Sequence, residues 1–285
     1  QINIMYCGDS GIEDGIFLSA LSVCKNAGCK GTACMDADGN NANCNNANEN
    51  GERIDFYILT ASYGKYTAIG EDFQKKLQSA IGPCGSVTVL DISRCFLSYL
   101  PKANLSTRFT PLCMLRLFAD QIPKIPDRVL YLDADVLCRK SLDELYFADL
   151  TDLDFLAVPD RYGKWFFGNI LKHDYLNSGV LLLNMEKIRE DRLFERCREL
   201  CAKEKMFMPD QTALNKLGKK GKLKRKFNEQ GKIKNDTVLK HFTTYFRFFP
   251  YFKAVTIKPW QKELHTKLKI YEFDDIIDRL KENSK

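Results

Sequence analysis

The chain has no run of 18 apolar residues, so no segment of it reads as a transmembrane helix. The opening Gln1-Ile-Asn-Ile-Met-Tyr lacks the basic stretch and apolar centre of a secretory signal and reads as a strand. There is no G-x-G-x-x-G, so a dinucleotide fold is not specifically indicated. No internal repeat is present. Cysteine is plentiful, eleven in all, but Cys24, Cys29, Cys34 and Cys44 lack the paired C-x₂-C spacing of a structural zinc site. Asp36-Ala-Asp38-Gly-Asn40 begins like a calcium loop, yet Asn41 and Ala47 stand where that loop needs Gly and Glu. Without a secretory signal, the thiols are expected to be reduced and the protein cytoplasmic. Cys7, Cys95, Cys113 and Cys138 read as small core side chains, and Cys197 and Cys201 share one helix face.

What remains fits one large α/β domain over 1–285, since 285 residues at 45% hydrophobic content can fill a core. The net charge of +6 is mild, and much of it lies between Lys216 and Lys234. Such a run is ordinarily a solvated face; its functional reading would be attraction to phosphate, nucleic acid or an anionic membrane. No nucleic-acid partner is expected.

Strand, Gly-containing turn and helix follow in order over 2–7, 8–11 and 14–25, then strand 54–59, helix 70–81 and strand 87–90. This β-α-β-α-β start predicts a doubly wound sheet. The intervening 26–52 is rich in Asn, Gly and Ala and reads as a loop insertion. A helix over 112–119 carries Arg116, Ser141 caps a helical turn through Tyr146, and strands follow at 155–159 and 175–184. Trp165-Phe166-Phe167 reads as part core, part lid. Helices are expected over 186–204 and 212–217, a strand over 238–242, and a helical tail over 271–285.

Arg128-Val-Leu-Tyr-Leu-Asp-Ala-Asp-Val-Leu137 is the most informative stretch: an apolar run interrupted by two carboxylates. It reads as a buried strand with hard-oxygen ligands at the ligand-binding end of the sheet. Asp-x-Asp occurs also at Asp36/Asp38 and Asp152/Asp154, and only Asp133/Asp135 is led into by an apolar strand. His241, at the end of a later strand, could complete an O,O,N set. Nitrogen favours Mn²⁺ over Mg²⁺.

The ordered pieces Asn3-Ile-Met-Tyr-Cys-Gly-Asp9, Arg116, Val129-Leu-Tyr-Leu-Asp-Ala-Asp135, Leu176-Asn-Ser-Gly-Val-Leu-Leu-Leu-Asn184, Pro209-Asp-Gln211, His241-Phe and Lys258-Pro-Trp260 span residues 3–260. This set resembles the retaining, lipopolysaccharide-type galactosyl/glucosyltransferases of glycosyltransferase family 8, which include the glycogenins. The resemblance implies a GT-A fold, a Rossmann-like mixed sheet flanked by helices. It implies a UDP-hexose donor and a glycan or lipid-linked acceptor. Cys7 and Asp9 would meet uracil and ribose. Asp133, Asp135 and His241 would ligate Mn²⁺ on the diphosphate, with Ala134 between the two acids in the donor site and Lys258 on the phosphates. Arg116, Asn177, Asp210 and Gln211 would surround the donor sugar. As ordinary structure, Asn177 would be a turn residue, Asp210 a helix N-cap and Arg116 an ion-pair partner.

Retention by double displacement needs a carboxylate nucleophile. The matching position is Gln211, so a front-face transfer is expected, with Asp210 the nearest candidate nucleophile. Three departures from the family pattern stand out. Ile12 replaces an aromatic near the base, the insertion 26–52 has no counterpart, and 243–257 is longer and aromatic. That stretch reads as core and lid, or as a membrane-surface face of Phe248 and Phe249 with Arg247 and Lys253. Other readings of the whole are a self-glucosylating glycogenin-like protein and a silent UDP-sugar-binding scaffold.

Overall fold

β1 (Ile2–Gly8), β2 (Ile54–Thr60), β3 (Gly85–Asp91) and β4 (Arg128–Leu132) run parallel, and β7 (Leu176–Asn184) runs against β4. β6 (Phe155–Pro159) runs against β7, and β8 (Lys220–Lys222) closes the sheet in the order β3-β2-β1-β4-β7-β6-β8. This computed structural model describes residues 1–27, 53–107, 110–163, 174–247, 251 and 253–282. Expectations for 28–52, for Trp165-Phe166-Phe167 and for Phe248 and Phe249 lie outside them. The side chains of Arg247 and Lys253 are likewise not described.

The central strands are apolar on both faces because each face carries its own core. Ile2, Ile4 and Tyr6 of β1, Leu130 and Leu132 of β4, and Val180 and Leu182 of β7 belong to one core. The alternating Met5 and Cys7, Val129 and Tyr131, and Leu181 and Leu183 belong to the other. The first core is covered by α1 (Glu13–Asn26), α2 (Glu71–Ile81) and the tail helix Asp274–Glu282. Glu13 and Asp14 in the first turn of α1 and Lys25 in its last complement the helix dipole. α2 buries Phe73, Leu77 and Ile81 at helical spacing. The second core is covered by the segment Pro111–Gln121 and by helices over Met185–Glu190, Leu193–Lys203 and Pro209–Leu217.

Several boundaries differ from the sequence-based expectation. The apolar run 128–137 is not one strand: β4 ends at Leu132, and β5 (Val136–Cys138) pairs with β9 (Leu239–His241) in a separate two-stranded sheet. The two acids lie in the turn between β4 and β5. The expected helix 186–204 is broken at Arg192, whose φ of 53° is left-handed. Leu112–Ala119 is wound as 3₁₀ turns, opened by Thr110 accepting from the Leu112 amide and by Pro111. The helix expected at 212 begins at Pro209, with Asp210 and Gln211 in its first turn and Met208 at its N-cap. Tyr245–Arg247 and Lys253–Val255 form an antiparallel pair.

Much of the basic run is matched by acids. Lys216 pairs with Glu204, Lys219 with Asp191, Lys224 and Lys226 with Glu144, and Arg225 with Glu229 and Asp236. Cys7, Cys24, Cys95, Cys113, Cys138, Cys197 and Cys201 are free thiols, and burial pushes Cys24, Cys138 and Cys197 up to about 12. The expectation of reduced thiols fails at Cys84, which is disulfide-bonded. Spacing alone carries no such pairing information. Among the described residues no helix is long and apolar enough to cross a membrane.

Candidate active site

Strand direction decides which residues meet. β1 to β4 are parallel, so Gly8, Thr60, Asp91 and Leu132 end on one edge. The order reverses beside β1, with β2 on one side and β4 on the other, which makes that edge a topological switch point. β7 runs the other way, so its amino end arrives there: Leu132 lies opposite Val180, and the Asp133 amide donates to Gly179 O at 2.8 Å. β6 runs against β7, which returns its carboxyl end to the same edge, where the Asp160 amide donates to Tyr175 O at 2.9 Å. β9 pairs Val136 with His241 and thereby sets the imidazole beside Asp135.

These elements line a cleft of about 260 Å³. Arg116, Asp133, Asp135, Asn177, Asp210, Gln211, His241 and Lys258 all face it, from six separate chain segments. Cys7, Asp9 and Ala134 do not line it. Cys7 is at the end of β1, where burial raises its thiol. Asp9 caps the following turn, accepting from the Gly11 amide at 2.8 Å. Ala134 is the turn residue, its carbonyl close against Gly15 of α1. Gly15 leaves room for that carbonyl and for Trp260, which seats the Lys258-Pro-Trp260 motif against the helix.

One ligand atom from each of Asp133, Asp135 and His241 lies within 4.8 Å of the other two. His241 Nε2 is 3.2 Å from Asp135 Oδ1 and 3.6 Å from Asp133 Oδ2. Asp135 Oδ1 is buried yet accepts no well-directed hydrogen bond, a costly state for a carboxylate oxygen unless a cation faces it. Gly179 passes directly beneath: a Cβ there would stand 2.1 Å from His241 Cε1 and 2.8 Å from Asp133 Oδ2. The set therefore fits a divalent cation with mixed oxygen and nitrogen ligands. Burial opposes ionisation of Asp135, but the neighbouring Lys258 ammonium outweighs it and holds the carboxyl below the usual range. Lys258 Nζ pairs with the other oxygen, Oδ2.

Arg116 ties this turn to the rest of the cleft. Only 4% exposed, it donates to Ser178 O at 2.5 Å, Asp133 Oδ1 at 3.0 Å and Cys113 O at 3.2 Å, and lies 3.3 Å from Asp210 Oδ2. Its guanidinium carbon is 4.0 Å from the Tyr131 ring centroid, and the Tyr131 hydroxyl donates to Asp133 Oδ1 at 2.6 Å. Burial works against its charge, but Tyr131, Asp210 and Asp133 hold it protonated. For Asp210, burial outweighs the pairing with Arg116 and the carboxyl is raised.

On the far side is a network of amides. Gln211 Oε1 accepts from the Ser178 amide at 2.9 Å, and Gln211 Nε2 donates to Asp160 Oδ2 at 3.3 Å. Asn177 Nδ2 donates to the same oxygen at 2.9 Å. Asn177 Oδ1 accepts from the Gly179 amide at 3.0 Å and from Asn228 Nδ2 at 2.9 Å, and Asn228 Oδ1 meets His241 Nδ1 at 3.0 Å. Asp160 and Asn228 were not anticipated from the sequence. A carboxylate one residue past strand 155–159 was the available signal for Asp160. Asn228 lies within the basic run and no local pattern marks it.

The mixed sheet, with its acid turn and polar cleft at the switch edge, matches the GT-A fold of glycosyltransferases. The sequence comparison names the family: the model of "Glycosyl transferase family 8" matches residues 3–263, and the chain belongs to that family. The chain spans under half the length of several of the curated relatives that it matches. A lipopolysaccharide 1,2-glucosyltransferase of Escherichia coli is 32% identical over 152 residues, covering 47% of this chain and 44% of that protein. Its counterpart in Escherichia coli strain K12 is 26% identical over 299 residues, covering 95% and 76%. The fold matches the galactosyltransferase LgtC, in complex with donor and acceptor sugar analogs, with a TM-score of 0.67 at 19% identity, covering 99% of this chain and 96% of that one.

Proposed function

We propose that the chain is a retaining, metal-dependent hexosyltransferase that moves galactose or glucose from a UDP-sugar to a hydroxyl of a glycan or glycolipid. The observation that carries this reading is the convergence of Asp133, Asp135 and His241 at the switch edge, beside a cleft lined by Asn177, Asp210 and Gln211. The activities named for the similar proteins, glucosyl and galactosyl transfer, point the same way.

Mn²⁺ held by Asp133, Asp135 and His241 would supply Lewis-acid neutralisation of the departing diphosphate, with Mg²⁺ as the alternative ion. Lys258 adds a fixed positive charge beside Asp135 for the same phosphates. Cys7 and Asp9 end β1 on the shared edge and would meet the nucleoside. Arg116, Asn177, Asp210 and Gln211 orient the sugar. Gln211 is an amide whose oxygen already accepts from the Ser178 amide, which suits positioning and not nucleophilic attack. Asp210 is engaged by Arg116. Both favour front-face transfer, in which the leaving phosphate oxygen takes the acceptor's proton. A cytoplasmic enzyme working on a lipid-linked acceptor at the membrane surface belongs to the same proposal.

UDP release from a panel of UDP-sugars with Mn²⁺, followed by an acceptor glycan array, tests it. One donor should stand out, and the product should keep the donor's anomeric configuration. No UDP release from any donor would sink the proposal, mass gain on the protein itself would mark self-glycosylation, and a glycosyl adduct trapped on Asp210 would overturn the front-face route.

A further inference from the structure

We infer that Asn228 is a positioning residue that fixes the tautomer of His241 and couples the cation site to the sugar side of the cleft; this rests on the metal-site reading above. Amide and imidazole orientations are ordinarily ambiguous. Here a backbone group removes the ambiguity. The Gly179 N–H can only donate, and it points at Asn177 Oδ1 at 3.0 Å. That oxygen is therefore an acceptor, so the Asn228 atom 2.9 Å away must be its NH₂. The other end of Asn228 is then its carbonyl oxygen, which accepts from His241 Nδ1 at 3.0 Å. The proton of the neutral imidazole is thus on Nδ1, and the Nε2 lone pair faces Asp133 and Asp135. A second backbone donor agrees: the Ser178 N–H fixes Gln211 Oε1 as an acceptor, which leaves Gln211 Nε2 to donate to Asp160.

Asn228 is 1% exposed and does not line the cleft; among the described residues its side chain hydrogen-bonds to Asn177 and His241, so its influence passes through them. Its carbonyl serves the cation ligand and its NH₂ serves Asn177. The two functions can be separated by substitution. Asn228→Leu removes both. Asn228→Asp keeps an acceptor for the Nδ1 proton but presents a carboxylate oxygen to Asn177 Oδ1.

In metal-free protein labelled with ¹⁵N-histidine, the His241 signal, identified by its loss in His241→Gln, should show Nδ1 protonated when the ring is neutral. An Nε2-protonated ring in the wild type would overturn the inference whatever the variants do. Titration with Mn²⁺ in the presence of UDP, read by the signal of free Mn²⁺, should give a Kd raised about 10–100-fold in Asn228→Leu. Asn228→Asp should stay within a few-fold of the wild type in that titration, yet lose kcat/KM for the UDP-sugar. Wild-type affinity in Asn228→Leu would refute the inference alone. No Mn²⁺ binding by the wild type would instead refute the metal-site reading, and the tautomer measurement would still decide the role of Asn228.

Discussion

Asp133-Ala-Asp135 and Asp152-Leu-Asp154 are the same motif at opposite edges of one sheet. Asp135 follows β4 at the edge where the order reverses, whereas Asp154 precedes β6 at the other, where the Asn184 amide donates to its carbonyl at 2.9 Å. Each has a buried carboxylate oxygen without a hydrogen-bond partner. Around Asp135 stand His241, Lys258 and a cleft, and its carboxyl is held ionised. Asp154 is fully buried, and its other oxygen accepts from the Lys219 amide at 2.6 Å. Burial, with Asp191 adding to it, raises that carboxyl. An orphan oxygen thus marks a ligand site only where further ligands converge on it. Elsewhere the fold tolerates it by weakening the acid.

The difference can be tested in four steps of decreasing size. Arg116→Met should be the most damaging, since it leaves the buried Asp210 and the half-buried Asp133 without their shared cation. Removing one partner of such a pair costs about 3–5 kcal/mol, and urea unfolding would show it. Asp135→Asn should lower the melting temperature at neutral pH, because the depressed carboxyl contributes stability there, and lower metal-dependent turnover about 10²–10³-fold; Asp133→Asn should lower turnover similarly. Full activity in both would return this pair to the same standing as Asp152/Asp154. Gly179→Ala should cost about 1–3 kcal/mol by overpacking, with weakened Mn²⁺ binding because the new methyl displaces His241.

Asp154→Asn should have the smallest effect and a pH signature. The folded carboxyl is raised, so the wild-type group's contribution to stability is present below its unfolded value near pH 4 and is lost as pH rises through the folded one. At pH 7 the amide should therefore match or exceed the wild type. A gain of about 1 kcal/mol would appear as a melting temperature higher by about 2–4 °C. The difference should shrink toward pH 4, and activity should not change.

The sequence made the parallel strands and α2 legible because apolar runs and helical spacing report burial directly. It showed that Asp133 and Asp135 follow an apolar strand, but not that β4 stops at Leu132. Both strand and turn are lined with residues that tolerate extension, and only the pairing of β5 with β9 separates them. The break at Arg192 has no Gly or Pro to announce it. β8 is Lys-Gly-Lys, a composition that reads as loop and suits an unpaired sheet edge. Asp160 and Asn228 escaped notice for a different reason. Their positions depend on strand order and on a backbone amide's direction, neither of which is written in local residue types.

The pairing of Lys258 with Asp135 joins positions 123 residues apart in sequence. Ligand atoms from the middle of the chain thus acquire their partners only when its last third docks. Contacts between such distant positions form late, because the entropy of closing the intervening loop is lost before the contact repays it. A chain halted after β7 would hold both aspartates and yet lack His241 and Lys258. Cation capture would then be an event of completed folding, and newly made chains would be unable to engage a nucleotide-sugar before their fold was closed.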